Sequence, residues 1–133
     1  IRYVLIGGVA MAFHDAPRFT RDIDLLADAR DFCAVKDLLE GSGYFESAKP
    51  WRFKDTNLEL HRFMKTRGEE MMIVDLLLAE DEKYLRIIED GLDETSESGN
   101  VRVATKAALI ELKRARNSDQ DQTDIRKLQN GQD

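Results

Sequence analysis

Three aspartates carry the most specific chemistry in this chain. Asp22 and Asp24 stand in the segment Arg18-Phe-Thr-Arg-Asp-Ile-Asp-Leu-Leu26. Successive side chains in a strand point to opposite faces, so Asp22 and Asp24 would project together while Ile23 and Leu25 point away. Two adjacent carboxylates repel unless a cation lies between them. Mg²⁺ suits that role, because it takes oxygen ligands and leaves positions open for phosphates. Asp75 sits within the apolar run from Met71 to Ala79, where an isolated carboxylate would be costly to desolvate. It should be ion-paired, protonated or metal-bound. If its strand neighbours that of Asp22 and Asp24, three carboxylates converge, enough for a site with two metal ions. The simpler alternatives are pairing of Asp22 or Asp24 with Arg18 or Arg21, and of Asp75 with Arg62.

The elements that must position these groups can be read from pattern. Residues 2–6 are β-branched and aromatic and stop at Gly7-Gly8, which predicts a buried strand and a sharp turn. Val9 to His14 suits a short helix, whose first N–H groups and dipole would seat an anion such as phosphate. Asp22 to Leu26 reads as a second strand. Asp31 opens a helix with Phe32, Val35, Leu38 and Leu39 on one stripe, closed by Gly41 and Gly43. Trp51 to Met64 suggests two strands around a turn at Asp55-Thr56-Asn57. Met71 to Leu78 reads as a central strand, apolar on both faces. Beyond it come a helix over 80–90, a polar loop over 95–100 and a short strand over 101–103. Thr105 then caps a helix to about Arg116, and a last helix runs from about Asp121 to Asn130. The fold class implied is α+β (α/β), a mixed β-sheet with packed helices, in a single domain over 1–133. Residues 1–79 would form the catalytic core and 80–133 a mainly helical C-terminal part.

Bulk composition narrows the partners. The 133 residues carry a net charge of −6, which argues against a general nucleic-acid binder. Residues 79–98 hold eight acids against two bases, enough to account for the whole imbalance, and read as a solvated acidic helix. No apolar run is long enough to span a membrane, and no signal peptide is visible. Cys33 is the single cysteine, so no internal disulfide forms; it reads as a small buried hydrophobe in a reducing, cytoplasmic setting. The chain opens at Ile1 inside a strand pattern, which suggests a segment upstream and an exposed first strand open to pairing with a second copy or a partner protein. His14 and His61 lack the neighbours of a zinc site. Met71 and Met72 read as core; Trp51 and Phe53 share one strand face and could stack a base, with core or edge packing the favoured reading.

Gly7-Gly8, a gap of thirteen residues and then Asp22-Ile23-Asp24 resembles the signature of the DNA-polymerase-β-like nucleotidyltransferase superfamily. The segments Gly-Gly-Val-Ala-Met-Ala-Phe-His and Arg18-x-Thr20-x-Asp22 are similar to its small bacterial branch, which includes minimal nucleotidyltransferases and the toxins of abortive-infection systems. Lys113-x-x-Arg116 followed by Asp121-x-x-Asp124 resembles helical elements of the toxin-like members. The resemblance implies a Mg²⁺-dependent enzyme that moves a nucleotidyl group from a nucleoside triphosphate to an acceptor hydroxyl and releases pyrophosphate. The acceptor class stays open between a protein, a tRNA end and a small molecule, and a toxin–antitoxin role is one implication. By the same resemblance Asp22 and Asp24 would bind two Mg²⁺ ions, and Asp75 would assist the ion nearest the nucleophile or act as base. Gly7 and Gly8 would contact the triphosphate, Arg18 and Thr20 would support the phosphates or the loop, and Lys113 would reach the triphosphate. Gly8 stands where many of these enzymes carry serine, so backbone N–H groups would make that contact. The rival readings are a non-catalytic nucleotide- or partner-binding module and, less well suited to so short a chain, a sugar-nucleotide enzyme.

Overall fold

The computed structural model describes residues 1–7, 9–10, 22–96, 99–116 and 119–130. The strands are β1 (Tyr3–Ile6), β2 (Asp22–Asp28), β3 (Phe45–Glu46), β4 (Trp51–Arg52), β5 (Glu59–Arg67), β6 (Glu70–Ala79), β7 (Leu92–Ser96) and β8 (Gly99–Val103). The helices are α1 (Phe32–Gly41), α2 (Glu82–Glu89), α3 (Lys106–Arg116) and α4 (Asp119–Asn130). All eight strands join one mixed sheet in the order β3-β5-β6-β2-β1-β8-β7, with β4 added to β5. β1 runs antiparallel to β2 and parallel to β8, while β2 and β6 are parallel.

Alternation along the strands divides the core into two layers. Val4, Leu26 and Leu77 pack with Tyr84, Ile87 and Ile88 of α2, Leu109 and Leu112 of α3, and Leu128 of α4. The opposite face carries Phe63, Val74, Leu76 and Leu78 against Val35, Phe32 and Leu39 of α1. β6 is buried along its second half because helices cover both faces there. Its apolar sequence therefore reads as a central strand for a physical reason. Thr105 caps α3 as expected: its Oγ1 accepts the Ala108 N–H at 3.1 Å. The Asp55 turn is also present, with Asp55 at φ 61°, a left-handed conformation that aspartate tolerates.

Several expectations give way to the tertiary context. Cys33 is exposed, since the buried stripe of α1 passes through Val35 instead, and Leu38 is also outside it at 62% exposure. Met71 is exposed because it precedes the covered half of β6. α2 is amphipathic rather than fully solvated, its acids outward and Tyr84, Ile87 and Ile88 buried. The segment expected as a polar loop forms much of the β7–β8 hairpin, held across the strands by Arg102 and Asp93 at 3.2 Å. β1 lies inside the sheet between β2 and β8, so it offers no free edge. The helix expected over 9–14 falls mostly outside the described residues.

Asp28 fastens the end of β2. Its carboxylate accepts from the Arg30 backbone N–H at 2.9 Å and from the Arg30 guanidinium at 2.7 Å, and Arg2 lies 3.3 Å away. The Arg30 hydrogen bond is the main cause that lowers its pKa to about 2. A depressed carboxylate contributes stability above the unfolded pKa near 4, and that contribution is lost as pH falls through about 2. Asp28→Ala should cost on the order of 1–2 kcal/mol at neutral pH. Urea melts should show the difference from the parent shrinking between about pH 4 and pH 2. An unchanged difference across that window would contradict this assignment.

Candidate active site

The parallel register of β2 and β6 sets Asp24 directly beside Asp75, with Asp22 beside Ile73. On the other side of β6, Arg62 of β5 is in register with Asp75. One row across the sheet thus reads Arg62, Asp75, Asp24 and, on β1, Ile6. Asp24 is half-buried, and burial, then Asp75, raises its pKa from 3.8 to about 6, with Asp22 adding to the rise. Arg116 and Lys113 act in the opposite direction.

Arg62 closes a two-pronged ion pair on Asp75, Nε to Oδ1 at 2.8 Å and Nη2 to Oδ2 at 3.0 Å. The strands of the three aspartates are neighbours, as the sequence implies. Among the described residues, however, no three carboxylate, imidazole or thiol groups gather where one metal ion could bind them all. The pairing considered from sequence as the alternative for Asp75 is therefore present.

Gly7 lies over this row. Its φ is +71°, and a Cβ built there would collide with the Asp24 carboxylate. Only glycine lets the backbone pass this close to the acid. Gly8, Arg18 and Thr20 lie outside the described residues, as does Arg21. Lys113, expected to reach a triphosphate, is buried at 5% exposure, and its Nζ donates to Asp124 at 3.1 Å. The pair ties α3 to α4 with Asp124 fully buried. Removing one partner of such a pair leaves an uncompensated charge.

A cavity of about 380 Å³ opens beside the acids, within the range of small-molecule sites. Leu60, Leu77, Leu109, Leu112 and Phe53 give it an apolar side; Asp24, Asp75, Arg62, Lys113 and Arg116 give it a charged one. Trp51 joins the lining, with Arg62 Cζ 5.8 Å from its ring centroid. The sequence names Arg62 as an alternative partner of Asp75, Arg116 as part of the C-terminal resemblance and Trp51 chiefly as packing; that all three line one cavity depends on strand register and helix placement. Arg116 and Trp51 reach the site through helix and hairpin placement, which no local pattern reports.

The chemistry of this donor set fits a divalent cation. Asp22 and Asp24 share one face of β2, burial and neighbouring acids disfavour the charge on Asp24, and Gly7 brings its backbone directly against that acid.

No protein-family model matches the sequence, and no curated protein matches it either. Solved structures do. The lincosamide antibiotic adenylyltransferase LnuA, in its lincomycin-bound form, superposes with a TM-score of 0.56 at 18% identity, over 96% of this chain and 85% of that one. A Thermotoga maritima protein assigned to the nucleotidyltransferases gives 0.56 at 14% identity, over 95% and 83%. ANT(2")-Ia with adenylyl-2"-tobramycin gives 0.52 at 17% identity, over 95% and 76%. The chain has the nucleotidyltransferase fold. Within that fold, the described Asp24–Asp75 row and Gly7 are features of this chain's own geometry. No helix among the described residues is long and apolar enough to cross a membrane.

The fit of Gly7 over Asp24 is directly testable. Gly7→Ala should destabilise the chain by about 2 kcal/mol or more, combining a left-handed φ with the collision. Gly41→Ala, where nothing lies within 4 Å of the new Cβ, should be neutral or slightly stabilising. Equal melting temperatures for the two variants would refute the close approach.

Proposed function

We propose that this chain is a nucleotidyltransferase that moves a nucleoside monophosphate from a nucleoside triphosphate to an acceptor hydroxyl, with release of pyrophosphate. The observation that carries the reading is the row of Asp24 beside Asp75, open under Gly7 and faced by Arg62, Lys113 and Arg116 across one cavity. Acids for cations, bases for phosphates and an apolar wall for a nucleoside are what such a transfer needs. The nucleotidyltransferase fold supports the reaction class.

In the proposed cycle Asp22 and Asp24 would hold two Mg²⁺ ions, with assistance from Asp75. Bound there, Mg²⁺ supplies positive charge against the phosphate oxygens and acidifies the attacking hydroxyl. The backbone at Gly7 and Gly8 receives the triphosphate, and Arg18 and Thr20 support it. Lys113, fixed by Asp124, presents positive charge to the same groups. The acceptor oxygen attacks the α-phosphorus in line, its proton passes to Asp75, and the bond from the α-phosphorus to the bridging oxygen breaks, so that pyrophosphate leaves. The protein mainly positions these groups.

The antibiotic adenylyltransferases among the structural neighbours support a small hydroxylated molecule as acceptor. A protein or a tRNA end remains the other acceptor class, and the toxin-like resemblance of Lys113, Arg116, Asp121 and Asp124 is what a toxin–antitoxin role in the cytoplasm would rest on. The Asp121 side chain lies outside the described residues. One observation favours a second reading, a module that binds nucleotide without turnover: Arg62 occupies both oxygens of Asp75.

Asp24→Asn should lower nucleotidyl transfer by about a hundredfold or more, while its melting temperature stays at or above that of the parent, because a poorly solvated charge is removed. The assay follows pyrophosphate release with each of the four nucleoside triphosphates, a pool of hydroxylated small molecules and tRNA. Full activity in the variant would refute the mechanism; nucleotide binding without release by the parent would favour the second reading.

A further inference from the structure

The Arg62 guanidinium stands where the acidic row needs a cation. Its two N–H groups hold both Asp75 oxygens. Its charge is further favoured, more weakly, by the nearby Asp22 and Asp24. Its side chain is 39% exposed while that of Asp75 is 12% exposed. It is therefore anchored at the acid and open to the cavity. Trp51 lies beside it, an aromatic face that a guanidinium can slide over without losing its stabilisation.

We propose that Arg62 is a resident counter-ion that exchanges Asp75 for the incoming phosphates. This rests on the nucleotidyltransferase reading above. In the empty chain Arg62 offsets the charge of the row and keeps Asp75 from serving a metal. A triphosphate presents pairs of anionic oxygens, as the Asp75 carboxylate does, and the guanidinium fork binds both well. When the phosphates draw Arg62 away, Asp75 is released toward the acceptor just as the substrate arrives. The two-pronged ion pair is thus a positioning device: Arg62 acts on the chemistry through Asp75 and through the phosphates. The exchange also accounts for the absence of a three-carboxylate cluster among the described residues, because the third carboxylate is held in reserve.

Both partners of the exchange are tested, and Arg62→Lys separates the charge of Arg62 from its two-pronged fork. Mn²⁺ binding without nucleotide, followed by electron paramagnetic resonance, should be about tenfold tighter in Arg62→Gln than in the parent, since a competing charge is removed. Binding of inorganic tripolyphosphate in the presence of Mg²⁺ should be about tenfold weaker in the same variant. Arg62→Lys, which keeps the charge without the fork, should hold the parent's Mn²⁺ affinity and lose tripolyphosphate affinity. Should Arg62→Gln prove unstable, added Mn²⁺ should raise its melting temperature by more than it raises the parent's. Mn²⁺ affinity that is unchanged or lowered in Arg62→Gln, or a smaller thermal response to Mn²⁺, would overturn the exchange. Asp24→Asn serves as the separate control: if it binds Mn²⁺ as the parent does, the metal site itself is wrong and the exchange falls with it. Loss of Mn²⁺ binding in Asp24→Asn with no gain in Arg62→Gln would reject the exchange alone.

Discussion

Two aspartates held side by side by strand register are the constraint around which this protein is arranged. Asp24 and Asp75 cannot avoid one another, because seven consecutive pairs from Asp22↔Ile73 to Asp28↔Ala79 fix the β2–β6 alignment. A one-residue slip would turn every side chain of β2 to the other face. Burial first, and the neighbouring Asp75 second, raise the pKa of Asp24 from 3.8 to about 6, on the order of 3 kcal/mol against its charged form. That strain is local and must be offset by packing elsewhere. The Leu26, Leu77, Leu109 and Leu112 layer beneath the row, and the Phe63, Val74 and Leu76 layer behind it, supply that packing.

The surrounding cations then become intelligible as a graded set. Arg62 is in direct contact with Asp75. Lys113 and Arg116 act on Asp24 from α3. Lys113 is buried and fixed by Asp124, so its charge is preorganised. Arg62 is partly exposed and can move. A rigid charge and a movable one on the two sides of an acidic row give a site that tolerates an empty state and still favours an anionic ligand paired with a cation.

Much of this was legible in the sequence, and the legible part has a common cause. Asp22 and Asp24 alternate with Ile23 and Leu25, and Asp75 interrupts an apolar run. The first is a signal of period two that survives folding because strands keep their faces; the second is a polar break in a strand buried on both faces. Gly7 was legible as a turn, but its contact with Asp24 depends on the β1–β2 register, which no local signal carries. Leu92–Ser96 was missed as a strand because Asp93 and Glu94 have weak strand preference, and pairing with β8 decides the matter. Cys33 and Leu38 were misjudged because the stripe of α1 is narrower than its apolar content suggests. Arg62 was named only as an alternative partner for Asp75; its reach toward Asp22 and Asp24 emerges from three strands brought together.

The central claim is that the Asp22–Asp24 face under Gly7 binds a divalent cation together with a triphosphate. Crystals grown with Mn²⁺ and non-hydrolysable analogues of ATP, GTP, CTP and UTP test it most directly, through the anomalous signal of manganese. The account predicts a manganese peak within bonding distance of the Asp22 and Asp24 carboxylates, with phosphate density against Gly7. Manganese absent from those carboxylates while the analogue binds elsewhere on the chain would contradict it.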